Sequence, residues 1–335
     1  MSATILVTGG AGYIGAHTCR ALAAAGFHPV VYDSLLTGHA ESVRWGPLEV
    51  GDILDRDRLN EVMAAHKPDA IIHFAASAYV GESVTNPLKY YHNNVAGSVA
   101  LVERAVDNGL TRFVFSSSCA TFGVHGEQPI AANATQDPIN PYGRTKLIVE
   151  QLLRDTAAAH TFNAVALRYF NAGGVSLDGE LGEEHDPETH IIPLALKASR
   201  DQDKPLSILW TDYDTPDGTC VRDFIHVEDL ADAHVAALRL LIADKVDGFE
   251  GLNLGTGTGF SVREIVREVQ RLTNRSVPVR EAPRRPGDPA VLVADPGAAQ
   301  ERLGWAATRS DIETIIGSAW TWFGNARSHK KGKAA

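Results

Sequence analysis

The fold is decided near the start of the chain, where residues 5–15 read Ile5-Leu6-Val7-Thr8-Gly9-Gly10-Ala11-Gly12-Tyr13-Ile14-Gly15. The apolar run at its start is typical of a buried strand, and the pattern over residues 12–25 predicts a helix. Glycines between a strand and a helix let the backbone turn tightly and approach a phosphate, which the free N–H groups of the helix N-terminus can bind. The stretch therefore predicts a strand, turn and helix that hold a pyrophosphate.

Beyond this unit, short apolar runs alternate with helix-length segments, which is the pattern of a parallel sheet. Such strands are predicted at 30–32, 70–74, 112–115 and 164–169. A loop rich in glycine, proline and acidic residues follows over 173–189, and a second lobe is predicted to begin there. Later segments predict helices and one strand that returns to the first lobe; the helices span 227–241, 262–272 and 312–323, and the strand 252–254.

We therefore predict an α/β fold, a Rossmann-type doubly wound parallel sheet with a smaller α/β substrate-binding lobe. Residues 1–172 are expected to form the dinucleotide-binding domain, to which later segments return. Residues 173–325 are expected to form most of the second lobe, and residues 326–335 a disordered basic tail.

Composition excludes several classes of protein. The 335 residues carry a formal charge of −10, which argues against non-specific nucleic-acid binding. The three cysteines form no CxxC pair, so a reducing cytoplasm is expected. The apolar segment 4–8 is far too short to span a membrane, and no membrane partner is expected. His226 and His234 have no further ligands at metal-site spacing, so no metal site is predicted.

A carboxylate selects the cofactor. Asp33 ends the second predicted strand, eighteen residues after Gly15, where it would accept hydrogen bonds from a ribose diol. A 2′-phosphate would be repelled there, so the position favours NAD over NADP. Asp52 follows the next strand and is expected beside the adenine.

Tyr142 and Lys146 are four residues apart, about one helical turn, so both side chains share a face. An ammonium group and a positively charged nicotinamide would favour the phenolate form of Tyr142 and lower its pKa, which makes it a general base. The strand that ends at Ser118 supplies a hydroxyl for a Ser–Tyr–Lys relay. Together these features indicate a site of the short-chain dehydrogenase/reductase type.

Over residues 5–323 the chain resembles the UDP-glucose 4-epimerases, members of the extended short-chain dehydrogenase/reductase family. The motifs that carry the resemblance are the glycine turn and residues 73–75, 80–83, 90–95, 116–118, 140–143, 167–171, 217–219, 221–227 and 283–288. The resemblance implies NAD-dependent, reversible 4-epimerisation of a UDP-sugar, with UDP-glucose and UDP-galactose expected first. It also implies a homodimer that packs through helices near 87–108 and 142–160.

The resemblance also assigns roles to residues. Ser118, Tyr142 and Lys146 would be the catalytic group. NAD would be held by Gly9, Gly12, Tyr13, Ile14, Gly15, Asp33, Asp52, Ile53, Phe74, Ala75, Ala76, Asn93, Ser116, Tyr142, Lys146 and Phe170. The UDP-sugar would contact Ser118, Tyr142, Asn171, His190, Arg222, Phe224, Arg285, Asp288 and Leu292. Arginines suit a diphosphate because their fork donates two charge-assisted hydrogen bonds.

The mechanism that the resemblance implies has two halves. Tyr142 takes the proton of the 4-hydroxyl while the C4 hydride passes to NAD, which leaves a 4-keto sugar. The sugar then turns while UDP stays bound, and hydride and proton return to the opposite face.

Departures from the family pattern leave the exact sugar open. Leu292 is intermediate in size at a position that limits the sugar pocket, so UDP-GlcNAc and UDP-GalNAc are alternative substrates. Residues 182–190 resemble epimerases that act on UDP-xylose and UDP-arabinose. Ala78 stands where many relatives have a lysine near the pyrophosphate, which predicts weaker retention of NAD. Residues 209–213 depart from the pattern near the uracil.

Two other functions would share part of this pattern. A sugar-nucleotide dehydratase needs an added acid and base after the serine strand, where this chain reads Ser118-Cys119-Ala120-Thr121. A non-catalytic NAD-binding scaffold would lose the Ser–Tyr–Lys relay, which is intact here.

Overall fold

The computed structural model describes residues 2–283 and 288–332. Its strands are β1 Thr4–Thr8, β2 His28–Asp33, β3 Leu48–Val50, β4 Ala70–His73, β5 Arg112–Ser118, β6 Asn163–Tyr169, β7 Asn171–Gly173, β8 Leu206–Leu209, β9 Val221–His226, β10 Phe249–Leu254, β11 Gly259–Ser261, β12 Val279–Ala282 and β13 Val291–Leu292. Its α-helices are α1 Tyr13–Ala24, α2 Arg56–His66, α3 Val80–Thr85, α4 Pro87–Tyr90, α5 Gly97–Asp107, α6 Pro141–Ala159, α7 Ile191–Arg200, α8 Val227–Ile242, α9 Val262–Thr273, α10 Gly297–Leu303 and α11 Ile312–Gly332.

Seven parallel strands form the main sheet in the order β10-β6-β5-β4-β1-β2-β3. Its central strands are buried because helices cover both faces. On one face α1 and α8 pack against the sheet, and on the other α2, α5 and α6 do so. The predicted Rossmann-type doubly wound sheet is confirmed. The segment 252–254 lies in β10, which pairs with β6 in parallel.

The strand order reverses beside β1, whose neighbours are β2 and β4. Crossover helices on opposite faces open a crevice at this point, beyond the carboxyl ends of the strands. The ends of β1 and β4 are held together at this crevice, because the amides of Phe74 and Ala75 both donate to the Thr8 carbonyl oxygen, at 2.9 and 3.1 Å. This crevice is where the fold positions a dinucleotide.

A second, smaller sheet is organised around β9, which pairs with β7, β11 and β13. The strands β8 and β12 form a separate parallel pair. Helices α7, α9 and α11 pack together in the hydrophobic core of this part. The helix α9 begins with a complete capping box between Ser261 and Glu264, which fixes its start beside β11.

The predicted division at residue 172 stays a prediction, and α8 and β10 lie on the main sheet although they follow it in sequence. The backbone of α11 is helical to Gly332, whereas the sequence predicted a disordered tail over 326–335. No proline interrupts residues 312–332, so the helix has no local reason to end earlier. Residues 333–335 lie outside the described residues. In the described part of the chain, every helix is too short or too polar to span a lipid bilayer.

Candidate active site

A single cleft of about 760 Å³ joins the carboxyl edge of the main sheet to the second lobe. From the first part of the chain it is lined by the glycine turn, Asp33, Ser118 and Tyr142. From the second part it is lined by the side chains predicted to hold a UDP-sugar, namely Asn171, His190, Arg222, Phe224, Asp288 and Leu292. The tertiary structure therefore brings most residues of the two predicted sets to one cavity, although Ser116 and Lys146 do not line it.

The glycine turn leaves room for a ligand on one side only. A Cβ on Gly15 would lie 2.2 Å from the Gly9 carbonyl oxygen, and one on Gly9 would lie 2.6 Å from the Ala75 nitrogen. At Gly12 the sole close atom is the Gly9 oxygen at 3.3 Å, and Gly12 lines the cleft. Gly12 caps α1 without a side-chain hydrogen bond, so the first N–H groups of that helix can bind a pyrophosphate.

Gly15→Ala is expected to destabilise the protein by about 1–3 kcal/mol, because the added methyl meets backbone that cannot move away. The amount of bound NAD should fall as well, because the clash with the Gly9 carbonyl oxygen distorts the glycine turn. Gly317→Ala is the matched control in a helix: a Cβ there meets nothing within 4 Å. That variant should gain about 0.5–1 kcal/mol from helix propensity. Thermal unfolding and the nucleotide content of the purified variants measure both effects, and wild-type values for Gly15→Ala would contradict the steric argument.

Asp33 is held in place by the backbone around it. Its Oδ2 accepts from the Ala11 amide at 3.0 Å and its Oδ1 from the Leu35 amide at 2.8 Å. Burial raises the pKa of the Asp33 carboxyl, and these two hydrogen bonds oppose the increase. Asp52 is fixed likewise, because its Oδ1 accepts from the Leu54 amide at 2.9 Å. Both carboxylates line the cleft, as a ribose and an adenine would require.

Asn94, a residue that the sequence did not predict as part of the site, holds the cleft wall beside the glycine turn in place. Asn93 and Asn94 lie in a π-helical turn, Tyr91–Ala96, which joins α4 to α5. The Asn94 side chain accepts from the Ser77 amide at 2.7 Å and donates to the Ser77 carbonyl oxygen at 3.0 Å. Asn93 donates to the same Asn94 side chain at 2.9 Å. The two consecutive asparagines were the available signal for this link.

The start of α6 positions the predicted catalytic group. Asn140 caps the helix by accepting from the Gly143 amide at 2.8 Å, and Pro141 occupies its first turn. A Cβ on Gly143 would lie 2.2 Å from the Ala120 carbonyl oxygen, so the glycine lets α6 approach the end of β5. This close approach brings Tyr142 within hydrogen-bonding distance of Ser118.

Burial controls the ionisation of the relay. Tyr142 is 7% exposed, and burial raises its pKa, while the hydrogen bond with Ser118 lowers it. Lys146 is 3% exposed, and burial lowers its pKa to about 7. Its Nζ lies 5.9 Å from the centroid of the Tyr142 ring and donates to the Ser116 carbonyl oxygen at 2.7 Å. The predicted lowering of the Tyr142 pKa by this ammonium group stays a prediction.

Ser116 was predicted as a cofactor residue, and the structure buries it behind the cleft, where it positions Lys146. A buried ion pair supports the same region: Arg168 donates to Glu150 at 2.7 to 3.1 Å. Ser117 donates to Glu150 at 2.5 Å. Sequence reasoning missed Glu150, although it lies one helical turn after Lys146.

The pairing of strands with β9 forms the second-lobe wall of the cleft, which faces the glycine turn. In the β7–β9 pair, Asn171 lies beside Phe224, and in the β13–β9 pair Leu292 lies beside Arg222. Arg222 is fixed by Asp288, with which it forms a short ion pair, so Asp288 orients the guanidinium from within the cleft. The guanidinium also donates to the carbonyl oxygens of Val221 and Pro289, each at 2.8 Å. Arg285 lies outside the described residues.

His190, at the start of α7, belongs to a cluster that the sequence did not predict. Its imidazole contacts Glu183, and the ligand atoms of Glu183, His185, Glu188 and His190 all lie within 4.8 Å of one another. The spacing Glu-x-His-x-x-Glu-x-His was the signal, and it was missed when only His226 and His234 were considered as ligands.

Comparisons with known proteins agree with this geometry. A family model, the NAD dependent epimerase/dehydratase family, matches residues 5–249. A UDP-glucose 4-epimerase from Rhizobium leguminosarum bv. trifolii is 51% identical over 326 residues, covering 97% of this chain and 99% of the relative. The crystal structure of UDP-glucose 4-epimerase from Brucella ovis with NAD is 54% identical, with a TM-score of 0.92 over 96% of this chain and 99% of that one.

A second crystal structure superposes on this chain as well as the Brucella ovis structure does. It is a UDP-glucose 4-epimerase from Stenotrophomonas maltophila with bound NAD and formylated UDP-arabinopyranose. It is 40% identical, with a TM-score of 0.92 over 97% of this chain and 99% of that chain.

Proposed function

We propose a reaction for this chain from one premise: it belongs to the NAD dependent epimerase/dehydratase family. The chain is an NAD-dependent UDP-sugar 4-epimerase. Its proposed substrates are UDP-glucose and UDP-galactose. The observation that carries the proposal is the meeting of the glycine turn, the Ser118–Tyr142 pair and Arg222 in one cleft.

The residues present fit NAD. The bare face of Gly12 and the N–H groups of Tyr13 and Ile14 would hold the pyrophosphate. Asp33 would accept from the adenosine ribose, while Asp52 and Ile53 would border the adenine. Phe74, Ala75, Ala76, Asn93 and Phe170, which also line the cleft, would complete the cofactor site. When bound, NAD supplies a hydride acceptor that later returns the hydride.

The protein's own residues move the proton. Tyr142 would take the proton of the sugar 4-hydroxyl and give it back after the sugar has turned. Ser118, at the end of β5, would orient that hydroxyl through its contact with Tyr142. Lys146 would stabilise the phenolate as charge develops, and the Ser116 carbonyl oxygen fixes where its ammonium group lies.

The UDP group would be bound by the second lobe while the sugar stays less constrained. Arg222 is partly buried, with 12% of its side chain exposed, and its terminal N–H groups donate to Asp288 and to backbone carbonyl oxygens, so it would offer the diphosphate its positive charge and its Nε–H. Asn171 and Phe224 border it through the β7–β9 register. Arg285 and His190 are proposed as further contacts, and Leu292 as the residue that limits the sugar pocket.

The purified chain is expected to convert UDP-galactose to UDP-glucose without added NAD, because the cofactor is regenerated in each cycle. Chromatography of the products measures the conversion. The same assay with UDP-GlcNAc and UDP-arabinose ranks the alternative sugars, since Leu292 is intermediate in size. If no substrate is converted even after NAD is supplied, the proposal fails and the dehydratase and scaffold hypotheses replace it.

A homodimer is also proposed, formed by the helical segment 87–107 and by α6. Apolar side chains on these helices are exposed or half-buried, among them Leu88, Val95, Val99, Leu147 and Leu152. Burying such a stripe against its copy would remove it from water. We further propose a cytoplasmic location, supported by three free cysteines at Cys19, Cys119 and Cys220.

A further inference from the structure

A compact group of ligand-type side chains lies on the loop that precedes α7. It consists of Glu183, His185, Glu188 and His190, and we refer to it as the His–Glu cluster. The cluster packs against the start of α1, because the rings of His185 and Tyr13 lie 6.1 Å apart, edge to face. Both histidines also line the cleft. The cluster therefore touches the active site without belonging to the Ser–Tyr–Lys relay.

Most distances within the cluster are close to those of a four-coordinate metal site. The Nδ1 atom of His185 lies 3.1 Å from a carboxylate oxygen of Glu183 and 3.9 Å from one of Glu188. The Nδ1 atom of His190 contacts the same Glu183 oxygen and lies 3.7 Å from the Glu188 oxygen. In a tetrahedral zinc site with metal–ligand distances of about 2.1 Å, two ligand atoms lie roughly 3.4 Å apart. All four ligand atoms lie within 4.8 Å of one another, so small side-chain movements, chiefly a separation of His190 from Glu183, would bring them to this spacing.

The charges of the cluster call for a cation. The side chains of Glu183 and Glu188 are each 4% exposed. Among the side chains described, those of residues 2–283 and 288–323, the ion pairs of these two carboxylates are with His185 and His190, and no lysine or arginine joins them. Two neighbouring buried carboxylates repel each other unless positive charge lies between them. One divalent ion would balance both.

We propose that the His–Glu cluster binds a divalent transition-metal ion, with zinc as the preferred occupant. Two imidazoles with two carboxylates form a nitrogen and oxygen ligand set that suits Zn²⁺ and neighbouring transition metals better than Ca²⁺ or Mg²⁺. All four ligands come from the protein, so the site has the closed form of a structural site. The ion would pin the loop against α1 and hold His190 at the edge of the cleft. This inference is independent of the proposed reaction.

The test uses the full chain without an affinity tag, after removal of metal by a chelator. Added Co²⁺ should bind with a stoichiometry of one and give the visible absorption bands of a tetrahedral cobalt site, and Zn²⁺ should displace it. Saturating Zn²⁺, at about 100 times its Kd, should raise the Tm by roughly 2 °C or more. In His185→Ala and in the near-isosteric Glu188→Gln, the Kd should rise about 10-fold or more, and the zinc-dependent rise in Tm should disappear.

His160→Ala is the matched control, because His160 is an exposed histidine at the end of α6, outside the cluster. It should bind Co²⁺ as the wild type does. Circular dichroism before metal addition shows whether each variant is folded. If His185→Ala does not fold, the test rests on Glu188→Gln. The proposal is overturned if the wild type gives no absorption bands of a tetrahedral cobalt site and its Tm does not rise when zinc is added. It is equally overturned if a folded cluster variant binds Co²⁺ as tightly as the wild type.

Discussion

Tyr142→Phe is expected to lower kcat for 4-epimerisation by about 1,000-fold, because a positioned acid–base group contributes roughly 10²–10⁴ in rate. The phenol oxygen would be the one group that both removes the 4-hydroxyl proton and returns it. The ring remains, so packing in the cleft and the KM for the UDP-sugar should change little. Steady-state kinetics with UDP-galactose separates kcat from KM.

Tyr169→Phe provides the matched control for that substitution. Tyr169 is a partly buried tyrosine of the same cleft, and its hydroxyl lies 3.3 Å from Ser116 Oγ. Its loss should leave kcat within about 10-fold of wild type, since no proton transfer is assigned to it. Nucleotide content must be measured for both variants. A Tyr142→Phe protein that keeps its NAD and more than a tenth of its kcat would show that another group is the base.

Arg168→Met is expected to destabilise the fold by about 3–5 kcal/mol, because it leaves the Glu150 carboxylate buried without its counter-charge. Both side chains are almost fully buried, with 4% and 0% exposure. Arg168 also donates to the Ala132 carbonyl oxygen at 2.7 Å, which links the sheet to the loop after β5. Denaturant unfolding measures the change. Activity should fall as well, because Glu150 lies one turn after Lys146 on α6 and its displacement would shift Lys146.

Arg56→Met is the control for the loss of an arginine ion pair at the surface. Arg56 pairs with Glu103 at 2.9 Å, but both side chains are about half exposed. Water and salt replace such a pair easily, so stability should hardly change. Combining Arg168→Met with Glu150→Leu should recover part of the loss, because the unpaired charge is then removed. A double variant less stable than either single variant would argue that the network acts through shape rather than charge.

Much of the first part of the chain could be predicted from sequence because its signals are local. The glycine turn, Asp33 and the Tyr142–Lys146 spacing each lie within one strand, turn or helix. Their geometry follows from backbone periodicity and from the need for glycine where atoms approach closely. For that reason the doubly wound sheet and the NAD cofactor could be predicted before any coordinates.

Other features needed the tertiary structure. Three contacts join residues from different elements. They are the hydrogen bond from Lys146 to the Ser116 carbonyl oxygen, the hydrogen bond from the Ser77 amide to Asn94, and the ion pair of Arg168 with Glu150. Nothing in the spacing of these residues ranks one pairing above another. The free energy of burying and satisfying each polar group decided the pairings.

By itself, the sequence determined the kind of sheet and the cofactor, since these rest on contacts between near neighbours in the chain, and the same local spacing predicts Tyr142 as the general base. Only the tertiary structure decided which side chains of the second lobe line the cleft and which four side chains of the loop form the His–Glu cluster. Leu292 reaches Arg222, and Asn171 reaches Phe224, through strands that pair over long separations in the chain. Such pairing is selected by packing of the whole core, because strand propensity acts only over a few residues.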